Sequence, residues 1–401
     1  MRKILSLLII LALALTPVLA LAEGVSLTMG SWRVDDSVMV EALLAQYKET
    51  TGVEIVFQPN PSAQYNSVLR TQLDAGIGPD LLYARSYFTG RDLYENGFLM
   101  DVSDIPGLKE NFVASSLEPW QNTDGTYFAV PFAAVSQVVY YNIDIFAENG
   151  LEIPQTWDEF IAVCDALQAA GITPLGNGLA SNWDILECVF LGMLPNYVGG
   201  ADSRALYESG EKKLNDEAFV QAYTDFQQLS KYFPDGFEAL GNDDGVMMLA
   251  LGQCAMVIDG SWSSVTQDEY GLNWSSFAFP VPAGHEAALC FHPDMGIAGN
   301  TKTEHPEEVK AFLAWLATPE GAQITADYLP TGFFPMINAP ITFKNERVTD
   351  MLSLNEGRIT DARFIWPNLM NLYDPMVEQL NKLARGETTP QEAADAIAVL
   401  Q

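Results

Sequence analysis

Histidine, cysteine and positive charge are what this sequence has least of: 3 His, 4 Cys and 20 Lys+Arg in 401 residues, against 52 Asp+Glu. The resulting net charge of −32 repels nucleic acid and anionic lipid headgroups, which argues against both as ligands. With so few histidines there is no His-Glu-x-x-His pair and no Cys-x-x-Cys pair, so the common zinc frameworks are missing. His285, Cys290 and His292 lie close together in the sequence, but no fourth ligand accompanies them, and neither a metal nor a cofactor is expected. Cys164, Cys188, Cys254 and Cys290 are far apart and allow three pairings. Cys164 falls in a helical pattern and Cys254 in an apolar strand, where buried free thiols compete with bridges. No Gly-x-Ser-x-Gly nucleophile elbow occurs. Carboxylates are abundant, so composition does not exclude a glycosidase, whose chemistry needs two of them across one bond. Internal repeats and low-complexity linkers are absent. Beyond residue 22 the longest apolar stretches, 128–135 and 246–251, are too short to span a bilayer.

What is present begins with an export leader. Arg2 and Lys3 precede an apolar run over residues 4–21, and Ala20-Leu21-Ala22 before Glu23 has the small-x-small form of a cleavage site. Residues 1–22 are therefore expected to be a signal peptide. Retention as an anchor is the alternative, since the run could nearly span a membrane. No cysteine stands near position 23 to take a lipid. Loss of Arg2 and Lys3 with the leader moves the net charge to −34. The remaining 379 residues suffice for two lobes, each with its own core.

The periodicity alternates strand and helix. Strand-like runs at 25–29, 53–58 and 81–83 flank helical patterns at 38–50 and 65–75, which predicts parallel pairing with helices on both faces. In such sheets ligands meet loops at the carboxyl ends of strands. A second α/β block follows 129–141, with a Thr-x-x-Glu capping box at Thr156 and Glu159. Residues 176–183 read as a glycine-marked loop, 216–232 as a helix, 254–258 as a strand, and 305–317, 319–329, 375–385 and 391–400 as helices.

Four stretches now carry a resemblance. They are Gly78-Pro79-Asp80-Leu81-Leu82; Tyr140-Tyr141-Asn142-Ile143-Asp144-Ile145-Phe146 with Pro154-Gln155-Thr156-Trp157-Asp158-Glu159-Phe160; Gly252 to Trp262; and His305-Pro306-Glu307-Glu308 leading to Phe312-Leu313 and Thr318-Pro319-Glu320-Gly321. In this order the chain resembles the extracellular solute-binding proteins of ABC importers, in the family that includes maltose-binding protein. The resemblance implies a two-lobed α/β periplasmic-binding-protein type II fold with discontinuous domains and a hinged cleft. It places residues 23–131 and 295–329 in lobe 1, and 132–294 and 330–401 in lobe 2. Hinges are expected near residues 131–137, 293–296 and 329–332. It also implies a monomer outside the cytoplasm, periplasmic or at the cell surface, that captures a carbohydrate and hands it to ABC permease subunits without catalysis.

A sugar presents apolar C–H faces and a ring of hydroxyls, so its site needs aromatic platforms with carboxylates, amides and arginines. Residues of these kinds follow the strand-like runs. Trp32, Arg33, Asp35 and Asp36 follow the first, Arg85 and Tyr87 the third, Asn182 and Trp183 lie in the glycine-marked loop, and Asp259 and Trp262 follow the 254–258 strand. The position of Trp262 matches a stacking aromatic of the maltose-binding type, and Trp366 or Tyr373 stands where those relatives carry another. Asp35 and Asp36 could instead cap the next helix. Trp32 and Trp183 could plug a lobe surface, and Arg85 could pair with an acid. Trp157 and Trp315 lie on helical patterns and belong to the core. A polyamine is the competing ligand, since aromatic boxes with carboxylates also hold cations; Arg33 and Arg85 weigh against it.

Overall fold

The computed structural model describes residues 24–330 and 332–401, so the expected leader lies outside the described residues. Strand β1 (Ser26–Ser31) buries Leu27 and Met29 by period-two alternation. Helix α1 (Ser37–Thr51) follows, burying Val40, Leu43, Leu44 and Tyr47 at spacings of three and four, one face of an amphipathic helix. It stops at Gly52, whose φ of 77° lets its N–H reach the Lys48 carbonyl. Strand β2 (Glu54–Pro59), helix α2 (Ser62–Ala75) with Tyr65, Leu69 and Leu73 inward, and strand β3 (Leu81–Arg85) complete the first block. Helix α3 (Tyr87–Glu95) leaves β3 after one residue.

Strands β4 (Val130–Asn142), β5 (Met256–Gly260), β6 (Trp274–Phe277), β7 (Ala288–Gly299), β8 (Phe334–Pro335) and β9 (Ile359–Asp361) extend the sheet in the order β2-β1-β3-β7-β4-β5. The parallel pairing expected from the alternation holds for β1 with β2 and β3. It fails beyond them: β7 returns from the far side of the molecule and runs antiparallel to both β3 and β4. The Pro-Asp turn before β3 also has a structural duty. Asp80 accepts from the Thr28 backbone N–H and hydroxyl, each at 2.8 Å, and from the Thr303 hydroxyl at 2.6 Å, tying three chain segments together.

The two lobes appear as separate apolar clusters. The first gathers side chains from Leu27 to Val135 and from Met295 to Ala322. The second draws on Val139 to Phe279 and Ala362 to Ile397, and a smaller third cluster lies behind it around Val138, Tyr140, Val257 and Trp274. β4 passes from one to the other at Ser136 and Gln137: Val135 packs in the first cluster, Val138 in the third and Val139 in the second. Its residues 133–136 pair with β7 and 137–142 with β5 and β6, with register shifts between Pro131 and Ala134 that bend the strand. The return after helix Pro319–Tyr328 does not change cluster at residue 330. Phe333 and Ile337 still pack in the first, while Phe334, on the opposite side of β8, packs in the third.

Two aromatic residues break this partition. Tyr87 starts in the first lobe and packs in the second cluster, whereas Trp262 starts in the second lobe and packs against the first.

Candidate ligand cleft

Because β1 and β3 are parallel neighbours, their carboxyl ends deliver Trp32 and Arg85 to the same edge. The Arg85 guanidinium carbon lies 3.7 Å from the Trp32 ring centroid, a cation–π stack. Trp32 is buried and held edge-on by Tyr65 and Tyr83, each at 5.6 Å between centroids. Its open face is therefore occupied by Arg85. Arg33 turns the other way. Its Nε and Nη2 donate to Asp36 at 2.6 and 2.8 Å, and its guanidinium lies over the Phe333 ring. That pairing consumes Asp36, which stands at the N-terminus of α1 without a side-chain cap bond. Asp35 is exposed beside it.

The second lobe supplies the free aromatic faces. At the end of β5, Gly260 lets the Trp262 ring fold back over the strand; a Cβ there would lie 2.1 Å from the ring. The rings of Trp262 and Trp183 sit 6.2 Å apart at 49°, and Trp183 is 39% exposed. Asn182 is exposed alongside. Asp259 is not on this surface. It is wholly buried, accepting from the Gly260 N–H at 2.7 Å and from the Ser263 hydroxyl. Beneath it Asp184, Cys188 and Asp259 bring ligand atoms within 4.8 Å of one another. Burial, joined by the charge of Asp259, drives the Asp184 carboxyl well above the usual carboxylate range, and burial drives the Cys188 thiol up likewise. Those electrostatics favour bound protons over a metal ion, which needs the charged forms. His285 lies against Tyr197 instead of joining Cys290 and His292. All four cysteines are free and buried.

An ion-pair network on the second lobe reaches Arg85 of the first through Asp294 at 3.8 Å. Arg363 Nη1 meets Glu187 Oε2 at 2.8 Å and Asp294 Oδ1 at 3.4 Å. Tyr373 donates to Glu187 Oε1 at 2.7 Å. Arg363 lies 5.6 Å from the Trp262 centroid and 5.4 Å from that of Trp366, and Arg85 is 6.0 Å from Trp366. Trp366 and Tyr373, alternatives in the sequence, thus both belong here: the first is buried among cations and the second holds Glu187. His292 packs edge-on to Trp366 at 4.9 Å. Its Nδ1 accepts from the Arg363 backbone N–H, which puts the ring proton on Nε2, facing the Ser86 hydroxyl at 3.3 Å. Burial, with Arg363, Arg85 and Arg204 nearby, keeps this imidazole neutral, its pKa well below the ordinary value. Several polar atoms here are buried without a hydrogen-bond partner: both amide atoms of Gln137, Asp184 Oδ1, Arg363 Nε and Trp366 Nε1. Such atoms are rare in native structures, and the same state at Tyr47, Trp120 and Tyr223 in the lobe cores shows that it is not confined to the cleft. A cavity of about 130 Å³ between Thr28, Gln58, Asn60 and Tyr65 contains none of these groups.

Sequence reasoning missed Asp184, Glu187, Asp294 and Arg363. A usable signal existed. Asp184 and Glu187 stand three residues apart in an otherwise apolar run, and Arg363 stands between Ala362 and Phe364; a charge that must be buried needs a partner or a function. Asp184 and Glu187 also share a segment of π-helical turns, Asp184–Phe190, a distortion frequent at functional sites.

Two α/β lobes joined by crossing strands, with aromatic faces and a buried ion-pair network that reaches from the second to the first, have the architecture of a solute-binding protein. Residues 30–323 match the family described as bacterial extracellular solute-binding protein, and the chain belongs to that family. It is 22% identical over 338 residues to a multiple sugar-binding protein of Streptococcus mutans, covering 80% of this chain and 76% of that one. It is 29% identical to the alpha-glucosides-binding periplasmic protein AglE of Rhizobium meliloti, over 51% of this chain and 47% of AglE. Among solved structures it resembles one from work on xylan utilization by Caldanaerobius polysaccharolyticus, with a TM-score of 0.82 at 16% identity over 94% of this chain and all of that one. RafE in complex with raffinose gives 0.76 at 20% identity over 94% and 98%. Among the described residues no helix is long and apolar enough to cross a membrane.

Proposed function

We propose that this protein is the substrate-binding component of an ABC importer for a carbohydrate, capturing it by closure of the two lobes and presenting it to membrane permease subunits. The observation that carries this reading is the pairing of accessible Trp183 and Trp262 faces with the Arg363–Glu187–Asp294–Tyr373 network. Aromatic faces suit sugar C–H surfaces, and charged groups fixed by one another suit hydroxyls, because preorganised partners lose little entropy on binding. Relatives named for sugar binding support the same ligand class.

In this reading the first lobe comprises residues up to about 135 together with 295–329 and, around β8, Phe333 and Ile337, and the second comprises 138–294 with the C-terminal helices. Residues 136–137, 293–296 and 333–337 act as hinges. Trp183, Trp262, Arg85, Arg363, Glu187 and Trp366 line the ligand, whereas Arg33 and Asp36 brace one another and Asp259 supports the Trp262 loop from below. A polycation would meet Arg85 and Arg363 in the cleft, which disfavours a polyamine. Turnover is not expected, since the family is one of solute-binding proteins. The signal peptide and a monomeric exported state complete the proposal.

A thermal-shift screen of residues 23–401 against mono- and oligosaccharides, polyols and polyamines tests it. Ligand at 100 times its dissociation constant adds about 2.7 kcal/mol of stability. Shifts confined to related sugars support the reading, and a response to polyamines alone overturns the ligand class.

A further inference from the structure

We propose that the carbohydrate carries a carboxylate and that Arg85 reads it; this deepens the carbohydrate reading above and rests on it. The guanidinium of Arg85 lies flat on Trp32, and its side chain is 15% exposed. Its remaining contacts among the described residues are long, 3.5 Å to Ser62 Oγ and 3.8 Å to Asp294 Oδ1. A guanidinium has five N–H donors, and almost none of this capacity is used. Burial lowers the pKa of Arg85 by more than Asp294 and Glu187 restore it, consistent with a cation short of compensation.

The neighbours do not make up the deficit. Asp294 lies closer to Arg363, at 3.4 Å. Glu187 is held by Arg363 and Tyr373, and its ion pair runs to Arg363. Arg363 Nε and Trp366 Nε1, whose groups surround the same space, are themselves buried donors without acceptors. The unpartnered atoms around Arg85 are therefore donors, whereas the unpartnered Asp184 Oδ1 belongs to the buried cluster with Cys188 and Asp259. A sugar hydroxyl brings lone pairs but also a proton that needs an acceptor of its own. An ionised carboxylate only accepts, with about four lone-pair directions. Shape agrees with this count. With its face against Trp32, Arg85 offers its edge, and the guanidinium edge matches a planar carboxylate in a two-bond fork. The chain's net charge of −32 opposes an anion at long range, but such fields are screened beyond about 8 Å at physiological ionic strength.

The experiment is calorimetric titration with matched pairs, galacturonate with galactose and glucuronate with glucose, as monomers and as short oligomers, together with the corresponding hexose 6-phosphates. The wild type is expected to bind one acid at least about tenfold tighter than its neutral partner, a charge-assisted bidentate contact being the difference. Arg85→Gln should bring that ratio close to one while thermal unfolding stays near wild type. Should Arg85→Gln fail to fold, Arg85→Lys decides: it keeps the charge without the fork, so a ratio lowered at least about threefold supports the assignment and an unchanged ratio overturns it. Equal or tighter binding of the neutral sugar, preference for the phosphate ester, or a ratio indifferent to Arg85→Gln also overturns it. Binding of neutral sugars alone sinks this inference and leaves the carbohydrate reading standing. Silence to every member of the panel overturns this inference and leaves the carbohydrate reading to the thermal-shift screen.

Discussion

The ring of Tyr87, first residue of α3 in the first lobe, lies 6.2 Å from the imidazole of His292 on β7, and its side chain packs among second-lobe residues. Its φ of 56° is the one positive value at a non-glycine among the described residues. An L-residue held there costs about 1–2 kcal/mol. Contact between the lobes sustains that conformation, so Tyr87 couples backbone strain to closure. Tyr87→Gly removes both the strain and the packing, whereas Tyr87→Ala removes the packing and keeps the strain. The glycine variant should be more stable to urea than the alanine variant by about 1 kcal/mol. Both should show a larger radius of gyration than wild type in solution scattering without ligand. Equal urea midpoints would contradict the strained backbone.

Trp262 is half-buried between the lobes with its ring over Gly260. Trp262→Ala should weaken sugar binding by about 1–3 kcal/mol in calorimetry, the worth of a stacking platform, with the circular dichroism spectrum unchanged. Retained affinity would remove Trp262 from the site.

Arg204 on helix Ala201–Glu208 forks onto Asp361 of β9, with Nε to Oδ2 at 2.9 Å and Nη2 to Oδ1 at 3.1 Å. This buried pair fixes the strand that carries Arg363 and Trp366 into the cleft. Arg204 also pairs with Glu208 at 2.8 Å, so Arg204→Met strands two carboxylates and should cost about 3–5 kcal/mol in chemical unfolding. The double variant with Asp361→Leu should recover a substantial part. Full additivity of the two losses would show that the charges do not act as a pair.

The Asp184 and Asp259 carboxyls are both raised, chiefly by burial. For a carboxyl whose folded pKa exceeds its unfolded value of about 3.9, the native state binds the proton more tightly. The stabilising contribution is then complete below that unfolded value and is lost as pH rises through the folded one. Asp184→Asn removes this dependence. Its stability relative to wild type should therefore increase from pH 4 toward pH 8 in urea titrations. His292, with its depressed pKa, acts in the opposite sense and loses its contribution as pH falls below about 6.5; it is common to both proteins and cancels in the difference. A variant that loses ground as pH rises would refute the raised Asp184 carboxyl.

Much of the architecture was legible. The first helices came from spacing alone: Val40, Leu43, Leu44 and Tyr47 repeat on one face, and Gly52 and Gly76 stop their helices with positive φ. The capping box at Thr156 and Glu159 is formed, with Glu159 Oε2 accepting from the Thr156 N–H at 3.0 Å. What spacing could not reveal is direction across long range. The return of β7 antiparallel to β3 joins residues more than 200 positions apart, and no local period encodes that.

The candidate site was legible in kind more than in role. Tryptophans and cations at strand ends were visible as residue types. Whether Trp32 offers a face to a ligand or carries Arg85 depends on which side chain reaches the ring first, and that is decided by the offset of two parallel strands.

The sequence by itself determined the exclusions, the alternating elements and the strand-end placement of aromatic groups, because composition and local periodicity act through neighbours a few residues apart. Only the tertiary structure decided that Asp259 lies beneath the surface, that Arg363 joins Glu187 and Asp294, and that Tyr87 and Trp262 exchange lobes. Burial and ion pairing are properties of the space between distant segments, and a buried charge acquires its meaning when a partner arrives from another part of the chain.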